Sequence, residues 1–104
     1  MIFTQENLNE VISQFYTEAS RELTIQSMYL FGSYAKGTPS ESSDIDLAVV
    51  SDNFQGIRFD DNKRLHKFIL KVSPYLETHP FTPGDFTPAN PYVAEILKTG
   101  KKIV

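Results

Sequence analysis

The sequence predicts an α/β (α+β) fold, a small mixed β-sheet flanked by helices in a single domain spanning residues 1–104. Three observations carry this reading. Apolar residues recur at helical spacing in two long segments and in a third near the C-terminus. Between them lie short runs rich in β-branched and aromatic residues, bounded by glycine, serine or proline. A chain of 104 residues also has the length of one hydrophobic core, with no room for a second of useful size. Helices that alternate with strands pack as layers on the faces of a sheet.

Thr4 is placed to cap a first helix from about Gln5 to Arg21, with Glu6 in the opening turn, where a negative charge suits the helix dipole. Leu8, Val11, Ile12, Phe15 and Ala19 form its apolar stripe. Ile25 to Phe31 reads as a strand that stops at Gly32, followed by a short Ser33–Lys36 turn. Asp44 to Val50 reads as a second strand, with a serine-rich loop before it and Ser51-Asp52-Asn53 after it. Asp60-Asp61-Asn62 opens a second long helix, whose core stripe is Leu65, Phe68, Ile69 and Val72. Ser73-Pro74 ends it, because a residue before proline is pushed out of the helical region. Tyr75 to Phe81 is the third strand, and Pro80 marks it as an edge strand or a strand end. Four of the six prolines fall between Pro80 and Pro91, which makes that stretch an extended connector. Asn90-Pro91 caps and starts a last helix with the apolar residues Tyr92, Val93, Ile96 and Leu97, closed by Gly100. Lys101-Lys102 reads as a solvated tail.

Composition narrows the function. With no cysteine, a disulfide framework and a thiolate zinc site are both excluded, and a cytoplasmic location is expected. Ten Lys+Arg against thirteen Asp+Glu give a net charge of −3, the wrong sign for a chain that lives on a phosphate backbone, so no direct nucleic-acid binding is expected. The apolar runs Met28–Phe31 and Leu47–Val50 are far too short to span a bilayer, so no membrane partner is expected.

The chemistry concentrates between the first two strands. Side chains of a strand alternate between its faces, so Asp44 and Asp46 point to one side while Ile45, Leu47 and Val49 point to the other. Two carboxylates at that spacing, about 7 Å apart at Cα, can converge their oxygens on one or two hard cations. Without a cation their charges would repel and raise a pKa. Gly32 lets backbone approach a ligand closely, and Ser33 opens a turn whose free N–H groups and hydroxyl suit a terminal phosphate. Ala48 and Val50 continue the face of Asp44 and Asp46 as apolar residues, which argues against a pair that merely solvates an edge. Phosphate donors on one side and metal-binding acceptors on the other suit phosphoryl or nucleotidyl transfer, where positioning and charge neutralisation supply most of the rate.

Leu30-Phe31-Gly32-Ser33-Tyr34-Ala35-Lys36-Gly37, followed by Ser43-Asp44-Ile45-Asp46-Leu47, resembles the signature of the DNA polymerase β-like nucleotidyltransferase superfamily, and within it the minimal nucleotidyltransferases. The resemblance implies that fold and a Mg²⁺-dependent transfer of AMP from ATP to an acceptor hydroxyl. It implies that Gly32, Ser33, Lys36 and Ser43 contact the nucleotide and that Asp44 and Asp46 are catalytic metal ligands. The family commonly has arginine at the position of Lys36; lysine still contacts a phosphate but cannot fork onto two oxygens. The family also uses a third carboxylate, from a later strand, as metal ligand and general base. Glu77 and Asp85 are the candidates, and Glu77 is favoured because it lies within the third strand, while Asp85 follows the turn sequence Pro83-Gly84. Tyr75, Glu77, His79 and Phe81 share one face of that strand; His79 reads as an edge-strand histidine at the border of the pocket, His66 as a solvated helix residue and Tyr34 as a loop tyrosine lining solvent.

Three strands and three main helices leave nothing to build a pocket for a second substrate, so the acceptor is expected to be macromolecular. In the resembling family, minimal nucleotidyltransferases pair with helical HEPN-type proteins and act as antitoxins, in several cases by adenylylating the toxin. Two alternatives stand beside this: a non-catalytic binding module that neutralises a partner by contact, and an aminoglycoside-type nucleotidyltransferase, against which the short chain argues.

Overall fold

A computed structural model describes residues 2–104. The elements run α1 (Gln5–Ser20), β1 (Ser27–Phe31), α2 (Ser33–Lys36), β2 (Ile45–Val50), α3 (Arg58–Val72), β3 (Leu76–Phe81), α4 (Pro91–Thr99) and β4 (Lys101–Lys102). They form a four-stranded mixed sheet in the order β3-β2-β1-β4. β1 pairs antiparallel with β2 and β4, whereas β2 and β3 are parallel and need the crossover that α3 supplies. β3 is an edge strand, as Pro80 implies. The expected three strands become four because Lys101 and Lys102 pair with Leu30 and Tyr29; the predicted tail is a short edge strand.

The sheet separates two cores. On one face Met28, Leu30, Ile45, Leu47, Val49 and Leu76 pack against Leu8, Ile12 and Phe15 of α1 and Leu65 and Phe68 of α3. Phe15 and Phe68 meet edge to face, their ring centroids 6.5 Å apart. On the other face Phe31, Ala48, Val50 and Phe81 meet Val93 and Ile96 of α4. This second core is small, and Phe31 carries it to the end of β1, where the chain turns through Gly32 into α2.

Local signals are realised with shifts of a few residues. Thr4 Oγ1 accepts from Asn7 N at 3.1 Å, and Asn90 Oδ1 accepts from Tyr92 N at 2.9 Å. β2 begins at Ile45, whose N donates to Tyr75 O, so Asp44 lies just outside the strand. α3 begins at Arg58, two residues before the predicted acidic start. The reason is Asp61, whose buried carboxylate reaches back to accept from Gln55 N and Gly56 N, both at 2.9 Å. Asp61 thus fixes the β2–α3 loop from inside the helix. Asp61→Ala leaves two backbone donors without their charged acceptor and is expected to cost about 2–3 kcal/mol in chemical denaturation. Tyr34 is not a loop tyrosine facing solvent: its ring is buried and its hydroxyl accepts from Phe3 N at 3.0 Å. Among the described residues no helix is long and apolar enough to cross a membrane.

Candidate active site

The antiparallel turn from β1 to β2 passes through Gly32, whose φ of 75° and ψ of −156° lie in a region essentially confined to glycine. Gly32 caps the N-terminus of α2, and its carbonyl accepts from Ala35 N and Lys36 N, both at 3.1 Å. The missing side chain matters as much as the angle. A Cβ built on Gly32 would overlap Asp46 Oδ2 and lie 3.2 Å from Asp46 Cγ, so the carboxylate occupies the space that any other residue would fill.

Register sets the remaining neighbours. Asp46 is the Cα partner of Phe31 on one side and of Glu77 on the other, and His79 is paired with Ala48 one step along the same face. One ligand atom each from Asp46, Glu77 and His79 lies within 4.8 Å of the others. His79 Nε2 is 3.3 Å from Asp46 Oδ1 and 4.0 Å from Glu77 Oε1. The side chain of His79 is only 7% exposed, against 22% for Asp46 and 53% for Glu77, so the cluster runs from a buried base to an open rim. Behind the histidine, Nδ1 faces Arg58 Nη2 at 2.9 Å and Tyr92 Oη at 3.3 Å, and Phe31 meets the imidazole edge to face at 4.8 Å.

Electrostatics follow from this crowding. Burial raises the Glu77 pKa above its ordinary 4.5, and the charge of Asp46 raises it further; His79 pulls the other way, while a hydrogen bond shared with Asp46 and the charge of Asp44 add to the rise. A carboxylic acid whose folded pKa is raised holds more protons in the folded state than in the unfolded one. Stability from this group is therefore fully present below pH 4.5 and is lost as pH rises through the raised value. Thermal unfolding of the ion-free protein across that window should show this loss in the native sequence and not in Glu77→Gln. Burial also raises the Tyr92 pKa, with Arg58 lowering it and Asp46 and Glu77 raising it, so its hydroxyl stays protonated.

Of the residues expected from sequence, the structure brings together Gly32, Asp46 and Glu77. Asp44 is exposed at the mouth, close enough to influence Glu77 but not within the converging cluster. Ser33 is half-buried in the first turn of α2, and Lys36 is exposed in its last. Ser43 Oγ accepts from Ser40 N at 2.9 Å, which closes the serine-rich loop on itself. Asp85 does not join the cluster; it is exposed in the turn after β3, where it borders a cavity of about 490 Å³ with Arg58, Phe81 and Asn90. Sequence reasoning put His79 at the border of the pocket as an edge-strand histidine; it missed the burial of that ring within the cluster and its partners Arg58 and Tyr92. The available signal was that His79 shares a face with Glu77; what hid it was that Arg58 and Tyr92 come from two other elements. The hard oxygen donors of Asp46 and Glu77, forced together with like charge, fit a divalent cation, which would remove their repulsion.

A converging carboxylate pair beside a glycine–serine corner, on a mixed sheet of this topology, is the arrangement of a nucleotidyltransferase fold. Residues 12–103 match the nucleotidyltransferase domain family, and the chain belongs to it. A protein of Methanocaldococcus jannaschii named as a "putative protein adenylyltransferase" is 33% identical over 112 residues, covering 96% of this chain and 73% of that protein. The crystal structure of a "putative nucleotidyltransferase" from Sulfolobus solfataricus superposes with a TM-score of 0.65 at 21% identity, over 77% of this chain and 71% of that one. The toxin–antitoxin pair MntA-HpeT, crystallised as a double aspartate-to-glutamate mutant, gives a TM-score of 0.54 at 23% identity, over 94% and 73%. The protein is an enzyme of the nucleotidyltransferase kind.

Proposed function

We propose that the protein transfers AMP from ATP to a hydroxyl of a macromolecular acceptor, a helical HEPN-type partner protein, in the manner of an antitoxin. The observation that carries this is the convergence of Asp46 and Glu77 beside Gly32. The relative named as a protein adenylyltransferase supports AMP as the group and protein as the acceptor, and the MntA-HpeT neighbour supports a toxin as the partner. That neighbour's two substituted aspartates are two positions apart, the spacing of Asp44 and Asp46. The exposed Phe59 and Leu70 on the outer face of α3 add apolar surface of the kind a protein partner covers.

In this reading Asp46, Glu77 and Asp44 hold Mg²⁺, which when bound neutralises the triphosphate and polarises the α-phosphate. Gly32 and Ser33 hold the terminal phosphates, with Lys36 and Ser43 at the rim. Glu77, the most exposed of the three converging groups, takes the proton from the acceptor hydroxyl. The freed oxygen bonds to the α-phosphorus, the bond from that phosphorus to the β-phosphate oxygen breaks, and pyrophosphate leaves.

The test is intact-mass spectrometry of a co-purified partner after incubation with MgATP. A mass increase of one or more AMP groups is expected. A partner that binds tightly and keeps its mass would overturn the transfer reading in favour of neutralisation by contact.

A further inference from the structure

Asp46 could lie against its neighbours in many orientations, and the geometry around His79 selects one. Arginine carries only hydrogen-bond donors. Arg58 Nη2, 2.9 Å from His79 Nδ1, therefore requires a lone pair on that nitrogen. Tyr92 Oη approaches the same atom at 3.3 Å with a hydroxyl able to donate. The ring's hydrogen must then sit on Nε2, which faces Asp46 Oδ1 at 3.3 Å. The imidazole is buried and held by the ring of Phe31, so it cannot turn to exchange these roles cheaply.

We propose that His79 is a positioning residue for Asp46: locked by Arg58 in the tautomer with hydrogen on Nε2, it holds one carboxylate oxygen and presents the other beside Gly32 for the cation. The inference rests on the metal role proposed for Asp46. It goes further in assigning a relay that begins on α3 and ends at the carboxylate. It also decides between two roles for the histidine. Asp46, Glu77 and His79 look like a mixed nitrogen–oxygen metal site, but an Nε2 that carries hydrogen has no lone pair to give a metal. The cation is left with oxygen donors alone, a set that suits Mg²⁺ or Mn²⁺ and not Zn²⁺.

Side chains that orient metal ligands matter by about ten- to a hundredfold in metal affinity. His79→Phe keeps the ring packing and removes the donor; it is expected to weaken Mn²⁺ binding, measured by water-proton relaxation, by at least about tenfold. The two amides then discriminate. A glutamine places its N–H₂ near the position of Nε2 and its oxygen toward Arg58, whereas an asparagine reaches only to the level of Nδ1. His79→Gln should bind Mn²⁺ close to the native affinity, and His79→Asn should resemble the phenylalanine variant. Two-bond ¹H–¹⁵N spectra of the metal-free native protein should show hydrogen on Nε2 and not on Nδ1, and Arg58→Met should yield a mixture of tautomers.

Hydrogen on Nδ1 in the native spectrum, rescue by asparagine as good as by glutamine, or native Mn²⁺ affinity in His79→Phe would each overturn the assignment. None of these readouts requires AMP transfer. A native protein that binds Mn²⁺ in this pattern but labels no acceptor would sink the transfer reading alone, whereas labelling together with the reversed tautomer would sink only the role of His79.

Discussion

Asp46→Asn should abolish measurable transfer while leaving the fold intact. Asp46 is the one residue on which the corner glycine, the Glu77 carboxylate and the buried histidine all converge. In the proposed function its charge binds the cation, and loss of an electrostatic group placed at a reacting centre costs about 10²–10³-fold in rate. Stability should move little, within about 1 kcal/mol, for two reasons that can be separated from the loss of activity. An asparagine oxygen still accepts from His79 Nε2, and the neutral side chain no longer repels Glu77. The comparison to make is label transfer from α-labelled ATP against the thermal unfolding curve of the same preparation. Undiminished transfer in this variant, or in a double variant with Asp44→Asn, would remove the metal assignment altogether.

Gly32→Ala should damage both stability and transfer. It imposes a side chain on a backbone at φ 75°, ψ −156°, and it drives a methyl group into the Asp46 carboxylate. Strain and overlap together are expected to cost about 2–3 kcal/mol. Transfer should fall as far as in the asparagine variant even well below the unfolding temperature, because the carboxylate must vacate the position that makes it useful. Gly37 supplies the control. It also has φ 75°, but in the ordinary left-handed region and with nothing within 4 Å of where a methyl would stand, so Gly37→Ala should cost only about 1 kcal/mol and leave transfer near native. Loss of transfer in both variants alike would mean that backbone strain, and not the seat of Asp46, is what matters at Gly32.

Much of this is legible in the residues because it is local. The stripe of Leu8, Ile12, Phe15 and Ala19, the caps at Thr4 and Asn90, the stop at Gly32 and the alternation of Asp46 with Leu47 and Val49 are written within a few positions of one another. The order of the sheet is a different matter. That Asp46 lies opposite Glu77 depends on a parallel pairing 31 residues apart, which follows from where α3 packs and not from any short pattern. The two-residue β4 cannot be read from Lys101-Lys102, since its strand character comes from the open edge of β1 and not from its side chains. Tyr34 differs from its expected exposure for a similar reason: its burial is supplied by Phe3, which packs on it from much earlier in the chain, with ring centroids 6.1 Å apart. Asp61 has the local pattern of an ordinary helix opener, and its actual partners lie upstream, in the loop.

The parallel crossover also sets when this molecule becomes chemically competent. A growing chain that has been synthesised only as far as α3 carries the glycine corner and Asp46, yet neither Glu77 nor His79 exists to complete them. With the roles proposed for Asp46, Glu77 and His79, transfer is therefore deferred until β3 has been made and has closed its parallel pairing with β2, however well the first hairpin has formed.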